Sequence, residues 1–142
     1  MVATETNLIN TLNEGASILH FSCHGDRDRQ LEIEHDKLVG ELVKLKPNTF
    51  MDILSKGRLP KAIIFNVCYS CELAREVSAE KGIIAIGYSG KAMDNICEEV
   101  TKLFYMGLFR DGKSIRELFN EIKKRITEIN SEEGQKLHIF PE

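Results

Sequence analysis

At 142 residues, with 42% apolar and 29% charged side chains, the chain has the size and make-up of one globular domain, residues 1–142, able to bury a real core. Its 19 basic and 22 acidic residues leave a net charge of −3 with no Lys/Arg run longer than three. That argues against nucleic acid as the main partner, because phosphate binding needs a basic footprint, and no apolar run approaches membrane-spanning length, so no membrane partner is expected.

In chain order, residues 5–14 have the spacing of a short helix, with Leu8, Ile9 and Leu12 on one side, Thr4 or Thr6 as cap and Gly15 as its end. Residues 17–23 form an apolar strand. Alternation puts His20, Ser22 and His24 on one face and Leu19, Phe21 and Cys23 on the other. Residues 26–30 are a charged loop, and residues 31–36 alternate like a half-exposed strand or hairpin arm. Residues 37–48 fit either a helix or a second hairpin arm ending in a turn at Pro47-Asn48. Thr49 then caps a short helix, with Asp52 at the capping-box position and Gly57 at its close.

Residues 61–67 carry an apolar run rich in β-branched residues, the pattern of a strand buried on both faces of a mostly parallel sheet. A helix over 71–80 follows, capped by Ser70, with Gly82 beyond its end. Residues 83–88 are a further buried strand, and Ser89-Gly90-Lys91 a loop. Asp94 caps a long helix with an apolar stripe through Ile96, Val100, Leu103, Phe104 and Leu108, broken at Asp111-Gly112. Ser114 and Glu117 form a capping box for the last helix, whose stripe runs from Ile115 through Leu118, Phe119, Ile122 and Ile126 to Ile129. Residues 130–135 read as a polar turn and 137–140 as a final strand. Strands alternating with helices predict a three-layer α/β/α sandwich with a mostly parallel sheet.

Two strands end in reactive groups. In such sheets ligands bind beyond the carboxyl ends of the strands. There the 61–67 strand presents Cys68, beside the unpaired N–H groups that open a helix, and the 17–23 strand presents His24-Gly25. If the strands are parallel neighbours, thiol and imidazole share one rim, the minimum kit for cysteine acyl transfer.

With these residues in view, the chain resembles a CHAT domain, the bacterial branch of the caspase-like cysteine peptidases. His20-Phe-Ser-Cys-His-Gly25 is similar to the family's His-Gly strand end, and Phe65-Asn-Val-Cys-Tyr-Ser70 to its Asn-Ala-Cys nucleophile strand. Ile84-Ala-Ile-Gly87 resembles the next strand. Asp94, Phe104-Tyr105, Leu108, Gly112 and Ser114-Ile115 resemble the two closing helices. The likeness spans roughly residues 8–127.

The resemblance implies a caspase-like endopeptidase needing no metal or organic cofactor. Cys68 would be the nucleophile and His24 the acid/base, with the N–H groups of Gly25 and Cys68 as oxyanion hole and a protein or peptide as substrate. It places Asn66 near the first substrate subsite. Acids often stand there in basic-specific relatives, so a neutral side chain leaves the preference open. Asp94 and Asp26 are further substrate-binding candidates, though a helix cap and a solvated loop acid are the simpler readings. The family's role suggests an effector module in bacterial signalling or defence.

Caspase-like domains normally begin with a strand and helix that are missing here, since only sixteen residues precede the His-Gly strand. The chain is a fragment, or its subgroup is minimal, or another chain supplies that layer. The 17–23 strand is then a bare sheet edge, which invites pairing, and a homodimer or a partner domain covering it is expected.

Other readings compete. The domain could be a regulatory or interaction module that uses the same cleft for a partner or small signal. Cys68-Tyr-Ser-Cys71 is also a C-x-x-C opening a helix, the thiol–disulfide oxidoreductase layout, but no later proline stands where it would face the dithiol. A zinc site from Cys23, His24, Cys68 and Cys71 is opposed by Cys23 facing away from His24. His20 and His24 lie about 13 Å apart along a strand, too far for one ion, so His20 is read as a packed structural residue. The first residues lack the basic and apolar segments of a secretion signal, so the four cysteines are expected reduced, in a cytoplasm.

Overall fold

The computed structural model describes residues 3–142. Helix α1 (Glu5–Glu14) starts where Thr4 Oγ1 accepts the Asn7 N–H at 3.1 Å, and Gly15, at φ 83°, ends it in the left-handed region. Strand β1 (Ile18–Ser22) follows, and after the single residue Cys23 the chain leaves it for β2 (His24–Gly25). Strands β3 (Leu31–Glu34) and β4 (Leu42–Leu45) complete a hairpin, and α2 (Pro47–Lys56) leads to β5 (Ala62–Asn66). Then come α3 (Cys71–Lys81), β6 (Ile84–Tyr88), α4 (Asp94–Phe109), α5 (Ile115–Ile129), α6 (Ser131–Lys136) and β7 (Leu137–Phe140).

The strands make two sheets. The larger has the order β1-β5-β6-β7, with β1, β5 and β6 parallel and β7 antiparallel at the far edge. The smaller is an antiparallel ribbon, β2-β3-β4. Alternation along β1 and β5 sorts the core into two layers. Leu19, Phe21, Ile63, Phe65 and Val67 face α1, α2, α3 and the ribbon. Ile64, Ile86 and Tyr88 face α4 and α5. The result is a mixed α/β fold with helices on both faces of a mostly parallel sheet, as the alternation of strands and helices implies.

Several local expectations are revised. The 37–48 stretch is a hairpin arm, and helix α2 then starts directly at Pro47, with no side-chain cap. Proline's fixed φ suits the first helical turn, so Thr49 and Asp52 lie inside the helix rather than capping it. Asp94 is the first residue of α4, and Met93 occupies the cap position without a side-chain bond. Ser70 stands at the cap of α3, but its hydroxyl is used elsewhere. Residues 131–136 are helical, capped by Asn130, whose Oδ1 accepts the Glu133 N–H at 3.1 Å. Ile129 lies beyond the core and is exposed. The Ser114–Glu117 capping box forms as read.

Candidate active site

The register of β1 on β5 pairs Ser22 with Asn66. Two residues further along each strand stand His24 and Cys68, so the parallel ladder itself carries imidazole and thiol to one rim. Both line a cleft of 610 Å³ together with Ser22, Asn66, Ala92, Asp94, Cys97, Glu98, Thr101 and Lys102. His24 is exposed, and among the described residues no side chain hydrogen-bonds to its ring.

Gly25 is where ribbon and main sheet touch. A Cβ on it would lie 2.4 Å from the Cys68 carbonyl oxygen and 2.5 Å from Val67 Cγ1, so only glycine permits this approach. Asp26 N–H bonds the Gln30 carbonyl at 3.2 Å. Bonded and unbonded pairs alternate in an antiparallel ladder, so the Gly25 N–H, opposite Leu31, is turned away from β3.

Cys68 is half-buried against the α4–α5 layer. Its Sγ accepts the Ala92 N–H at 3.3 Å, which fixes the sulfur beneath the β6–α4 loop. The next residue, Tyr69, has φ 57°, in the left-handed region. Non-glycine residues held there cost about 1–3 kcal/mol and gather where surrounding structure demands the turn. Tyr69 N–H bonds the Gly90 carbonyl at 2.9 Å, and the Arg27 guanidinium stands 5.5 Å over its ring.

The crevice opens because β5 and β6 stop pairing at Ile64–Ile86. Ser70 spans the gap, its hydroxyl donating to the Val67 carbonyl at 2.7 Å and accepting the Tyr88 N–H at 3.0 Å. That bridge takes the hydroxyl away from helix capping.

Asn66 is buried, and its Nδ2 donates to the Cys97 carbonyl and to Thr101 Oγ1, both at 2.8 Å. With both amide hydrogens committed to α4, its Oδ1 remains a buried acceptor without a partner. Asp94 lines the cleft, whereas Asp26 is not among its lining residues. Asp26 Oδ1 accepts the N–H groups of Asp28 and Gln30, and Lys44 Nζ donates to Oδ2 at 2.9 Å, which holds its carboxyl below the usual range. Its work is to shape the β2–β3 turn, so the substrate-binding expectation for Asp26 is not supported by its position.

His20 Nδ1 pairs with the Tyr105 hydroxyl at 3.1 Å, its Nε2 is buried without a partner, and burial lowers its pKa. The four cysteines are free and fall on two sides of the sheet, Cys23 and Cys71 with one layer and Cys68 and Cys97 with the other. The C-x-x-C thiols thus belong to separate cores, an arrangement that does not favour a dithiol. Burial pushes the Cys23 and Cys97 thiols up to about 11 and raises that of Cys71. Among the described residues no group of three or more His, Cys, Asp or Glu is placed to hold a metal ion, and no helix is long and apolar enough to cross a membrane.

The loop after β6, read from the sequence as lying at this rim, presents Ala92 to the sulfur. A support that carries no sequence signal is Glu133, a buried acid on α6 whose carboxylate accepts the Met93 N–H at 3.3 Å and pairs with Lys136. A lone glutamate in a polar stretch looks solvent-facing, and only the placement of α6 under this loop buries it.

No family model matches the chain, and a search of curated proteins also finds no match.

Proposed function

We propose that this chain is a cysteine endopeptidase of the caspase-like, CHAT-domain kind, acting through a Cys68–His24 dyad. The observation carrying this reading is that thiol and imidazole each stand two residues past the ends of the adjacent parallel strands β1 and β5 and line one cleft. In the reaction the Cys68 thiolate attacks the peptide carbonyl, a C–S bond forms, and the oxygen's charge is taken by the N–H groups of Gly25 and Cys68. His24 gives its proton to the leaving amine as the C–N bond breaks. Water, deprotonated by His24, then hydrolyses the thioester and restores the thiol.

Asn66 lines the cleft, and its neutral side chain leaves the preference at the first subsite open. Asp94 and Glu98 on the cleft wall outnumber Lys102 and favour positive charge in the cleft. In this reading the substrate is a protein or peptide and the chain an effector module in bacterial signalling or defence, working in the cytoplasm.

Digestion of a peptide library by the full chain tests the reaction. Cleavage is expected from wild type and absent from Cys68→Ala and His24→Ala. A cut pattern unchanged in Cys68→Ala would overturn it. The unsupported His24 ring favours one second reading, a binding module with vestigial chemistry. Iodoacetamide separates the two. A dyad makes Cys68 far more reactive than Cys97 and loses that advantage in His24→Ala, whereas equally slow labelling of both supports the binding module.

A further inference from the structure

A cavity of 660 Å³ adjoins the cleft and runs along the open edge of β1. It runs between α1, β3 and β1, over apolar side chains that include Leu8, Leu19, Phe21, Ile33 and Leu42. Among the described residues strand β1 is hydrogen-bonded only to β5, so half of its backbone donors and acceptors face this groove, as on any edge strand. Five residues of strand offer a pairing length of about 16 Å.

The groove is also charged with one sign. Among the described residues its acidic or basic lining side chains, apart from histidines, are Glu32 and Glu34 alone. Neither forms an ion pair among the described residues, because Lys44, across the ladder from Glu32, is paired with Asp26. At its upper end the groove meets the cleft, since His20, Ser22, Cys23 and His24 line both.

We propose that the β1 edge is a docking site for an extended segment of a partner polypeptide, in which apolar and basic residues alternate. The segment adds a fifth strand beside β1. Its apolar side chains enter the groove and its lysines or arginines meet Glu32 and Glu34. A second copy of this chain is the poorer occupant: pairing β1 with its twin would bring the same two glutamates against each other. The proposal does not depend on the hydrolytic reading, because none of the groove's own contacts involves Cys68.

The test uses the full chain carrying Cys68→Ala and a fluorescein-labelled lysine–valine alternating peptide, with a glutamate–valine peptide as control. Anisotropy should show the basic peptide binding at least about tenfold tighter than the acidic one at low salt. The pair Glu32→Gln and Glu34→Gln should remove most of that difference with unchanged circular dichroism. N-methylation of alternate peptide amides should abolish binding, since strand addition needs those N–H groups. Equal binding of both peptides, no binding up to about 1 mM, or full binding by the N-methylated peptide would each overturn the proposal. So would a concentration-dependent dimer that competes with the peptide, which would give the edge to a second copy.

Discussion

At the scale of single residues, Gly25 sets the distance between the two reactive groups. It packs against the Cys68 carbonyl and the Val67 side chain, and a methyl there must push the ribbon, with His24 on it, away from Cys68. Gly25→Ala should cost about 1–3 kcal/mol of stability and lower kcat/KM by about a hundredfold or more, measured by denaturant melts and peptide turnover. Asn66 ties the end of β5 to α4 through two donated hydrogen bonds. Asn66→Leu keeps the volume but removes both, so it should lower stability by about 1–3 kcal/mol, read in denaturant melts. Asn66→Asp should instead widen the preference for positive charge.

At the scale of elements, the last short helix holds the site from behind. Glu133 on α6 anchors the Met93 amide, one residue beyond the Ala92 N–H that meets the Cys68 sulfur. Glu133→Gln weakens its link to Lys136. The variant should stay folded while the rate and pH profile of Cys68 alkylation change, a response that a purely structural acid would not produce. Ser114→Ala is the contrasting case. Its capping box lies at the start of α5, far along the chain from the cleft residues. Its loss should lower stability by about 1 kcal/mol and leave alkylation of Cys68 untouched.

These elements also mark what the sequence could carry. The strands at 18–22, 62–66 and 84–88 and the two long helices follow from periodicity, because a buried face must repeat every two or 3.6 residues. That His24 and Cys68 reach one cleft was legible for the same reason, as a property of parallel strand ends. Position, not pattern, decided the rest. Ser70 reads as a cap by residue type, yet its hydroxyl closes the gap where β5 and β6 part. Pro47 displaces Thr49 as the start of α2, and residues 131–136 fold as a helix because Glu133 finds a buried partner set that no local window reveals.

For the whole molecule, titration follows from burial. Cys23 and Cys97 hold their protons up to about 11, and Tyr88 is also raised. Above about pH 9 the unfolded chain releases protons that the native state keeps, so stability should fall as pH rises toward 11. On the acid side, His20 and His138 have lowered pKa values, both from burial first. Below about pH 6.5 the unfolded chain takes up protons that the native state refuses, and stability should fall again. Thermal melts from pH 5 to 11 should therefore peak in the neutral-to-mildly-alkaline range, about pH 7–9. A melting temperature still rising at pH 10 would contradict these environments.

The chain turns from the four-stranded sheet into the three-stranded ribbon at one residue, Cys23. Imidazole and sulfur therefore ride on different rafts, joined by a single-residue coupling. Whatever tilts the ribbon changes their spacing, and reciprocity then binds the two events: if a cap on Cys68 favours one tilt, a contact from outside that favours the same tilt must ease the capping by the same factor.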